Sequence, residues 1–227
     1  MKNYGFKIIR GLFNLQEINL LRSEADRIAQ SEKSTCVRHL RRKSQLFEKL
    51  SAQHKLLNLF SGKLVPVRSI LFDKTPDENW PVAWHQDLTI AVQDKREVPG
   101  YSLWSMKEGV VHVQPPVQLL KKMVTVRIHL DDTPDSNGAL RVIPKSNAYG
   151  KIPAKEIASY INDSEVTCEC SAGDVLLMSP LILHASRKSN NPAKRRIIHF
   201  EYAPYSSLDS KLSWYENKNS EPPLRLS

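Results

Sequence analysis

Between Gly173 and Tyr202 the chain has little choice of local structure. Gly173-Asp174 is a turn pair, Val175 to Met178 a short apolar run, Ser179-Pro180 a break, and Leu181 to Ser186 a second run that delivers His184. Proline has no amide donor and is confined to strand ends and edges, so Pro180 separates two strands. After the polar loop Ser189-Asn190-Asn191-Pro192, the segment Arg195 to Tyr202 is rich in β-branched and aromatic residues that suit a strand. Should that strand form a hairpin with the run before it, its start lies beside His184. Strands dominate from Leu64 onward, apart from a short helical pattern near Ala154 to Tyr160. The expected class is mainly β with flanking helices.

The helices come first. Ile18, Leu21, Ala25 and Ile28 recur at three- and four-residue steps, one apolar stripe on a helix from Leu15 to Ser31. Leu46, Leu50, Leu57 and Phe60 predict a second helix, and both are expected to cover the outside of one sheet. A chain of 227 residues suits a single domain: helical support over 1–63, a β core over 64–205 interrupted by an insertion at 88–122, and a polar tail over 206–227. Trp214 and Tyr215 are the residues that could dock the tail. No stretch approaches the roughly 20 apolar residues of a membrane span. Charges in Met1 to Lys7 stand where a signal peptide needs its apolar run, so a cytoplasmic location is expected. Cys36, Cys168 and Cys170 form no disulfide framework and are expected to be reduced packing thiols. The net charge of +9 and the cluster Arg38 to Lys43 raise the question of nucleic acid. No nucleic-acid-binding module accompanies them, and an anionic small molecule drawn in by the field is the better expectation.

The chemistry concentrates in His85-Gln86-Asp87. Side chains alternate faces along an extended strand, so His85 and Asp87 can reach one ion together, and His184 can close the set from another strand. Two imidazoles and one carboxylate on one face of an octahedral ion leave the opposite face open, the ligand set of non-haem Fe(II) oxygenases. Arg195, eleven positions beyond His184, offers a guanidinium fork suited to a carboxylate. Adjacent strand residues face opposite ways, so Arg196 is expected outside. His129 and His199 lack a carboxylate at the right offset and are expected to be structural or to line the pocket. Asp131-Asp132 precedes a turn-rich stretch and reads as a strand end and loop.

Lys74-Thr75-Pro76, Trp84-His85-Gln86-Asp87, Asn137-Gly138-Ala139-Leu140-Arg141-Val142-Ile143-Pro144-Lys145-Ser146, Gly173-Asp174 and His184-Ala185-Ser186 followed by Arg195 together resemble the phytanoyl-CoA dioxygenase family of Fe(II)/2-oxoglutarate oxygenases. The resemblance runs from Val67 to Tyr202. Lys145 and Asn147 depart from it, standing where the family has Gly and His. It implies a double-stranded β-helix of jelly-roll type with Fe(II), 2-oxoglutarate and O2 as cofactors. It further implies His85, Asp87 and His184 as metal ligands, Arg195 and Ser186 on the distal carboxylate of 2-oxoglutarate, and Gln86 as a co-substrate contact. Arg127 falls where the family places a large co-substrate-contacting residue; as a cation it could serve co-substrate or substrate. Related halogenases have Gly or Ala in place of Asp87, so hydroxylation, or desaturation or ring closure, is the implied outcome.

The insertion leaves the strand that carries two ligands, as a lid over the substrate mouth would. Trp80, Trp84, Trp104, His112 and Arg68 are the candidate substrate contacts, and the arginines point toward a carboxylate or phosphate. The protein is expected as a monomer or weak homodimer with a small-molecule substrate and no membrane partner. Two alternatives stay open: a cupin-like metal-dependent non-oxygenase, and a catalytically silent metal-binding member.

Overall fold

The computed structural model describes residues 4–161, 164–190 and 193–217. Its elements run β1 (Phe6–Ile9), α1 (Leu15–Glu32), β2 (Cys36–Arg38), α2 (Leu40–Lys43), α3 (Gln45–Ser51), α4 (His54–Leu57), β3 (Val65–Lys74), β4 (Val82–His85) and β5 (Ile90–Val92). There follow β6 (Ser102–Lys107), β7 (Val110–Gln114), α5 (Val117–Leu120), β8 (Val124–His129), β9 (Leu140–Val142), α6 (Ile157–Tyr160), β10 (Val166–Cys168), β11 (Val175–Met178), β12 (His184–Ser186) and β13 (Arg195–Ala203). A six-stranded sheet, ordered β1-β11-β8-β13-β3-β2, faces a four-stranded sheet, β10-β9-β12-β4. Every pairing is antiparallel. This is the jelly-roll core expected of a double-stranded β-helix.

β12 and β13 do not form a hairpin with each other. β12 pairs with β4 and β9 in the smaller sheet, while β13 pairs with β3 and β8 in the larger one. The loop between them carries the chain from one sheet to the other, so His184 and Arg195 meet across the barrel. Both faces of β13 are buried, one against the barrel interior and one against the helices, and the whole strand is therefore inaccessible.

Ile18, Leu21, Ala25 and Ile28 of α1 pack with Phe47, Leu50 and Leu56 onto Leu71, Ile128, Ile198, Phe200 and Tyr202, the outer face of the large sheet. Asn14 and Glu17 close α1 with a capping box. The second predicted helix is split into α3 and α4. Gln53 is extended, and the Ser51 carbonyl, which a continuing helix needs, accepts the Tyr202 hydroxyl at 2.8 Å. Part of the basic cluster at 38–43 forms the end of β2 and the helix α2, elements too short to show a periodicity.

The insertion 88–122 is no open loop: β5, β7 and β6 make a third sheet. Ile90, Val92 and Val113 bury themselves with Leu119, Leu120, Val67 and Ala203. Trp214 docks in the same cluster, and Glu216 accepts from the Ser69 amide at 2.8 Å and its hydroxyl at 2.7 Å, so the tail is anchored as far as residue 217. The remainder of the tail, 218–227, the start at 1–3 and the Asn191-Pro192 pair lie outside the described residues.

Lys145 adopts a left-handed backbone, φ 68°, ψ −5°, at the turn where its sequence departs from the family pattern. An L side chain there costs of order 1 kcal/mol that glycine avoids. Lys145→Gly should therefore raise stability by about 1 kcal/mol, or roughly 3 °C in Tm for a chain of this size, measured by thermal denaturation.

Candidate functional site

β4 ends at His85, and the Asp87 amide just beyond it donates to the Pro180 carbonyl at 2.9 Å, which holds the extended register. In the strand pairing His184 stands opposite His85. The two imidazoles lie 4.1 Å apart between ring centroids. Each is fixed by the same device. His85 Nδ1 meets the Ala83 carbonyl at 2.8 Å and His184 Nδ1 the Ile182 carbonyl at 2.9 Å. A carbonyl only accepts, so each Nδ1 carries the proton and each Nε2 presents its lone pair to the centre. The Asp87 carboxylate lies 3.9 Å from Nε2 of His85 and 3.6 Å from Nε2 of His184. Three ligand atoms thus converge from one side and could hold one cation with its other face free.

The electrostatics match ligation. Burial, with help from His85 and Arg127, pushes His184 down to about 4 against the pull of Asp87, so the ring is neutral near pH 7. Burial alone would raise Asp87. The imidazoles of His184, His199 and His85 and the Arg68 guanidinium outweigh it and hold the carboxyl at about 2.

Beyond the three residues lies a cavity of about 140 Å³ lined by Phe72, Lys74, Trp80, Val82, Arg127, Leu140, Ser186, Arg195 and His199 together with His85, Asp87 and His184. Arg195 is buried and donates to the Gly138 carbonyl. Gly138 has φ +69°, and a Cβ there would sit 2.8 Å from the Arg187 carbonyl, so only glycine lets this turn close over the guanidinium. Lys74 stands opposite Arg195 in the β3–β13 register, its ammonium 3.4 Å from Ser186 Oγ. Arg127 reaches in from β8. None of these three cations has a salt bridge to a carboxylate among the described residues, and Nε of Arg127 and of Arg195 is buried without a partner. Burying charge without compensation is costly. A bound dianion would remove that cost, and the donor set fits a dicarboxylate lying between the cations and a metal.

The expected pocket residues divide clearly. Arg195, Ser186 and Arg127 line the cavity, whereas Arg196 faces the other way and pairs with Asp131 at 2.7 Å and Asp26 at 2.9 Å. Gln86 is turned from the cavity: its amide donates to the Gly150 and Leu181 carbonyls and accepts from the Ile152 amide. Its location between two ligands is what points it away, because neighbours on an extended chain face opposite sides. Of the substrate candidates, Trp80 lines the cavity. Trp84 packs on Ile143, Ile152 and Leu183, on the outer side of the small sheet, under the Arg141 guanidinium. Trp104 packs in the third sheet's core, and His112, opposite Ser105 on β7, is buried with Nδ1 on the Val110 carbonyl. Arg68 is salt-bridged to Glu201 at 3.0 Å.

Lys74 is the pocket cation missed as a site residue in the sequence, although it opens one of the motifs. Burial and the charges of Arg195 and Arg127 press its ammonium down to about 7. A bound carboxylate favours the charged form and raises that value. A dicarboxylate bound at this end of the cavity would have full affinity below pH 7 and lose up to about tenfold per pH unit above it, until the raised value is passed. Titrations between about pH 6 and 9 should show this slope, and Lys74→Met should flatten it.

A second cluster, Asp87, His199 and Glu201, also brings three ligand atoms within 4.8 Å. Its chemistry is different. The Arg127 guanidinium, which only donates, contacts His199 Nδ1 at 3.2 Å, so Nδ1 accepts and Nε2 carries the proton toward Glu201 at 3.4 Å. Arg68 neutralises Glu201 from the other side. With Nδ1 engaged by Arg127 and Nε2 protonated toward Glu201, His199 has no lone pair to offer an ion, which leaves this group without an imidazole ligand.

Solved structures share the fold. HygX from Streptomyces hygroscopicus, with nickel and 2-oxoglutarate bound, superposes with a TM-score of 0.65 at 16% identity over 89% of this chain and 84% of its own. AviO1 from Streptomyces viridochromogenes Tue57 gives 0.65 at 20% identity over 90% and 91%. SnoK, a non-haem α-ketoglutarate-dependent carbocyclase from nogalamycin biosynthesis, gives 0.68 at 16% identity over 89% and 80%. No curated protein matches the sequence. The family model of phytanoyl-CoA dioxygenase matches residues 1–197. Spanning most of the chain and both histidines, the aspartate and the arginine of the site, that match establishes that the protein belongs to the phytanoyl-CoA dioxygenase family, whose enzymes depend on Fe(II), 2-oxoglutarate and O2.

Proposed function

We propose that the protein is a hydroxylase of a small metabolite, with His85, Asp87 and His184 holding Fe(II) and Arg195, Lys74 and Ser186 holding the distal carboxylate of 2-oxoglutarate. The observation that carries this reading is the pairing of two features in one cavity: a one-sided His/Asp/His set and three buried cations with no carboxylate partner. A cupin-like non-oxygenase has no use for those cations, and a silent binding protein has none for both features at once.

When bound, iron, 2-oxoglutarate and O2 supply an oxidant that removes hydrogen from the substrate, with succinate and CO2 released. The chain's own residues do the rest. Nδ1 anchoring of both histidines presets the ligand geometry, so little reorganisation accompanies metal binding. The Arg195 fork fixes one end of the co-substrate, and Phe72, Val82 and Leu140 keep the cavity poor in water. Arg127 supports the co-substrate from β8 and keeps His199 in a single tautomer. Trp80 borders the space next to the metal ligands and is the tryptophan best positioned to touch a substrate. With a carboxylate in the ligand set, a hydroxylated substrate is the expected product; SnoK is an α-ketoglutarate-dependent carbocyclase, and product analysis separates hydroxylation from ring closure.

The test is anaerobic loading with Fe(II) and 2-oxoglutarate, then air, with succinate as the readout. Wild type should release succinate above the level without protein, and Arg127→Leu should raise the apparent KM for 2-oxoglutarate by about tenfold, as expected for loss of one charged hydrogen-bond donor. No succinate from wild type would contradict the reading.

A further inference from the structure

The buried polar groups that co-substrate and metal leave unused form one row on the inner face of the large sheet. Glu201 is paired in register with Arg68 on β3 and with Thr125 on β8, at the opposite end of β13 from Arg195. Its Oε1 accepts from Arg68 at 3.0 Å and stands 3.4 Å from His199 Nε2. Oε2 makes no hydrogen bond among the described residues, although Glu201 is only 2% exposed. Thr125 Oγ1 and Arg68 Nε in the same row are buried without partners. Buried polar atoms are nearly always satisfied, and two orphaned ones beside a carboxylate oxygen with no hydrogen bond call for a ligand. The carboxylate lies within 4.8 Å of the Asp87 and His199 ligand atoms, beside the metal set.

We infer that Glu201 is the substrate-recognition residue of this site, its Oε2 accepting a hydrogen bond from a hydroxyl or ammonium group next to the carbon that is oxidised. The inference rests on the oxygenase reading above and narrows it. A carboxylate facing the substrate repels a second carboxylate or a phosphate. The cations that pointed to an anionic substrate are already engaged, Arg68 by Glu201 and Arg38 by Glu108, while Lys74, Arg127 and Arg195 line the co-substrate cavity. The substrate class is therefore a hydroxylated or aminated small molecule. His199 reinforces the choice: with its Nδ1 engaged by Arg127 it offers Nε2–H to Glu201 and fixes where the carboxylate points.

The experiment uses the full chain loaded with Zn(II) in place of iron and with 2-oxoglutarate, so that nothing turns over, and reads binding by ligand-observed saturation-transfer NMR. The probes are glucosamine (ammonium and hydroxyls), methyl glucoside (hydroxyls alone) and hexanoate (a carboxylate with no donor). At least one donor probe should bind wild type about tenfold more tightly than hexanoate. Glu201→Gln, nearly isosteric and still covering Arg68, should weaken glucosamine about tenfold if the ammonium is the group read. Where the hydroxyl is read instead, the R68M/E201L double variant, which removes the buried pair together, should weaken methyl glucoside by a similar factor. Tighter binding of hexanoate, no binding of either donor probe to wild type, or unchanged affinities in both variants would overturn the inference. The signals of 2-oxoglutarate in the same wild-type sample are read first: their failure to respond sinks the oxygenase reading itself, whereas bound 2-oxoglutarate with no donor probe sinks this inference alone.

Discussion

Asp87→Ala should cost about a thousandfold in kcat/KM for 2-oxoglutarate consumption, equivalent to roughly 4 kcal/mol of lost transition-state stabilisation. The reason lies in the charge of the ligand set. His85 and His184 are oriented as neutral donors by their Nδ1 bonds to backbone carbonyls, so Asp87 is the one anion in the triad. Its carboxyl, held at about 2, needs no deprotonation before it binds a cation. Without it a divalent ion keeps two neutral ligands on one edge and meets the nearby Arg127 charge uncompensated. Metal stoichiometry after anaerobic Fe(II) loading and gel filtration should fall from near one to well below a tenth. Circular dichroism guards against a folding defect. Retention of equimolar iron by a folded Asp87→Ala protein would show that the ion sits elsewhere.

Arg195→Ala should weaken 2-oxoglutarate by about a hundredfold, or close to 3 kcal/mol, with a smaller effect on the rate at saturating co-substrate. A buried guanidinium facing a carboxylate makes charge-assisted bonds in a water-poor cavity, and methyl truncation leaves the carboxylate without its fork. Lys74 and Ser186 remain at the same end of the cavity and limit the loss. Arg196→Ala is the matched control. That side chain points outward to Asp131 and Asp26, so its loss should lower stability while leaving the KM for 2-oxoglutarate within about twofold. Equal KM effects in the two variants would remove Arg195 from the proposed clamp.

Much of this was legible in the chain because the information is local. The α1 stripe and the outward turn of Arg196 follow from periodicities of three to four and of two, the break at Pro180 from its missing amide donor, and the α1 bounds agree within a residue or two. The His/Asp/His set was legible because two of its members share an extended strand end. What was hidden depends on pairing across sheets. No local pattern says that β13 leaves β12 for the opposite sheet, or that Lys74 faces Arg195, since register is set by partners far away in sequence. Glu201 and Arg68, 133 residues apart, meet only through that register. Gln86 was placed near the co-substrate by resemblance, yet the alternation that brings its two neighbours together sends it the other way.

The most direct measurement is an anomalous-scattering map at the iron edge from crystals grown anaerobically with Fe(II) and 2-oxoglutarate. The account predicts one peak, within bonding distance of His85 Nε2, the Asp87 carboxylate and His184 Nε2, with 2-oxoglutarate running from it to Arg195. A peak between Asp87, His199 and Glu201, or 2-oxoglutarate bound away from Arg195, would contradict it.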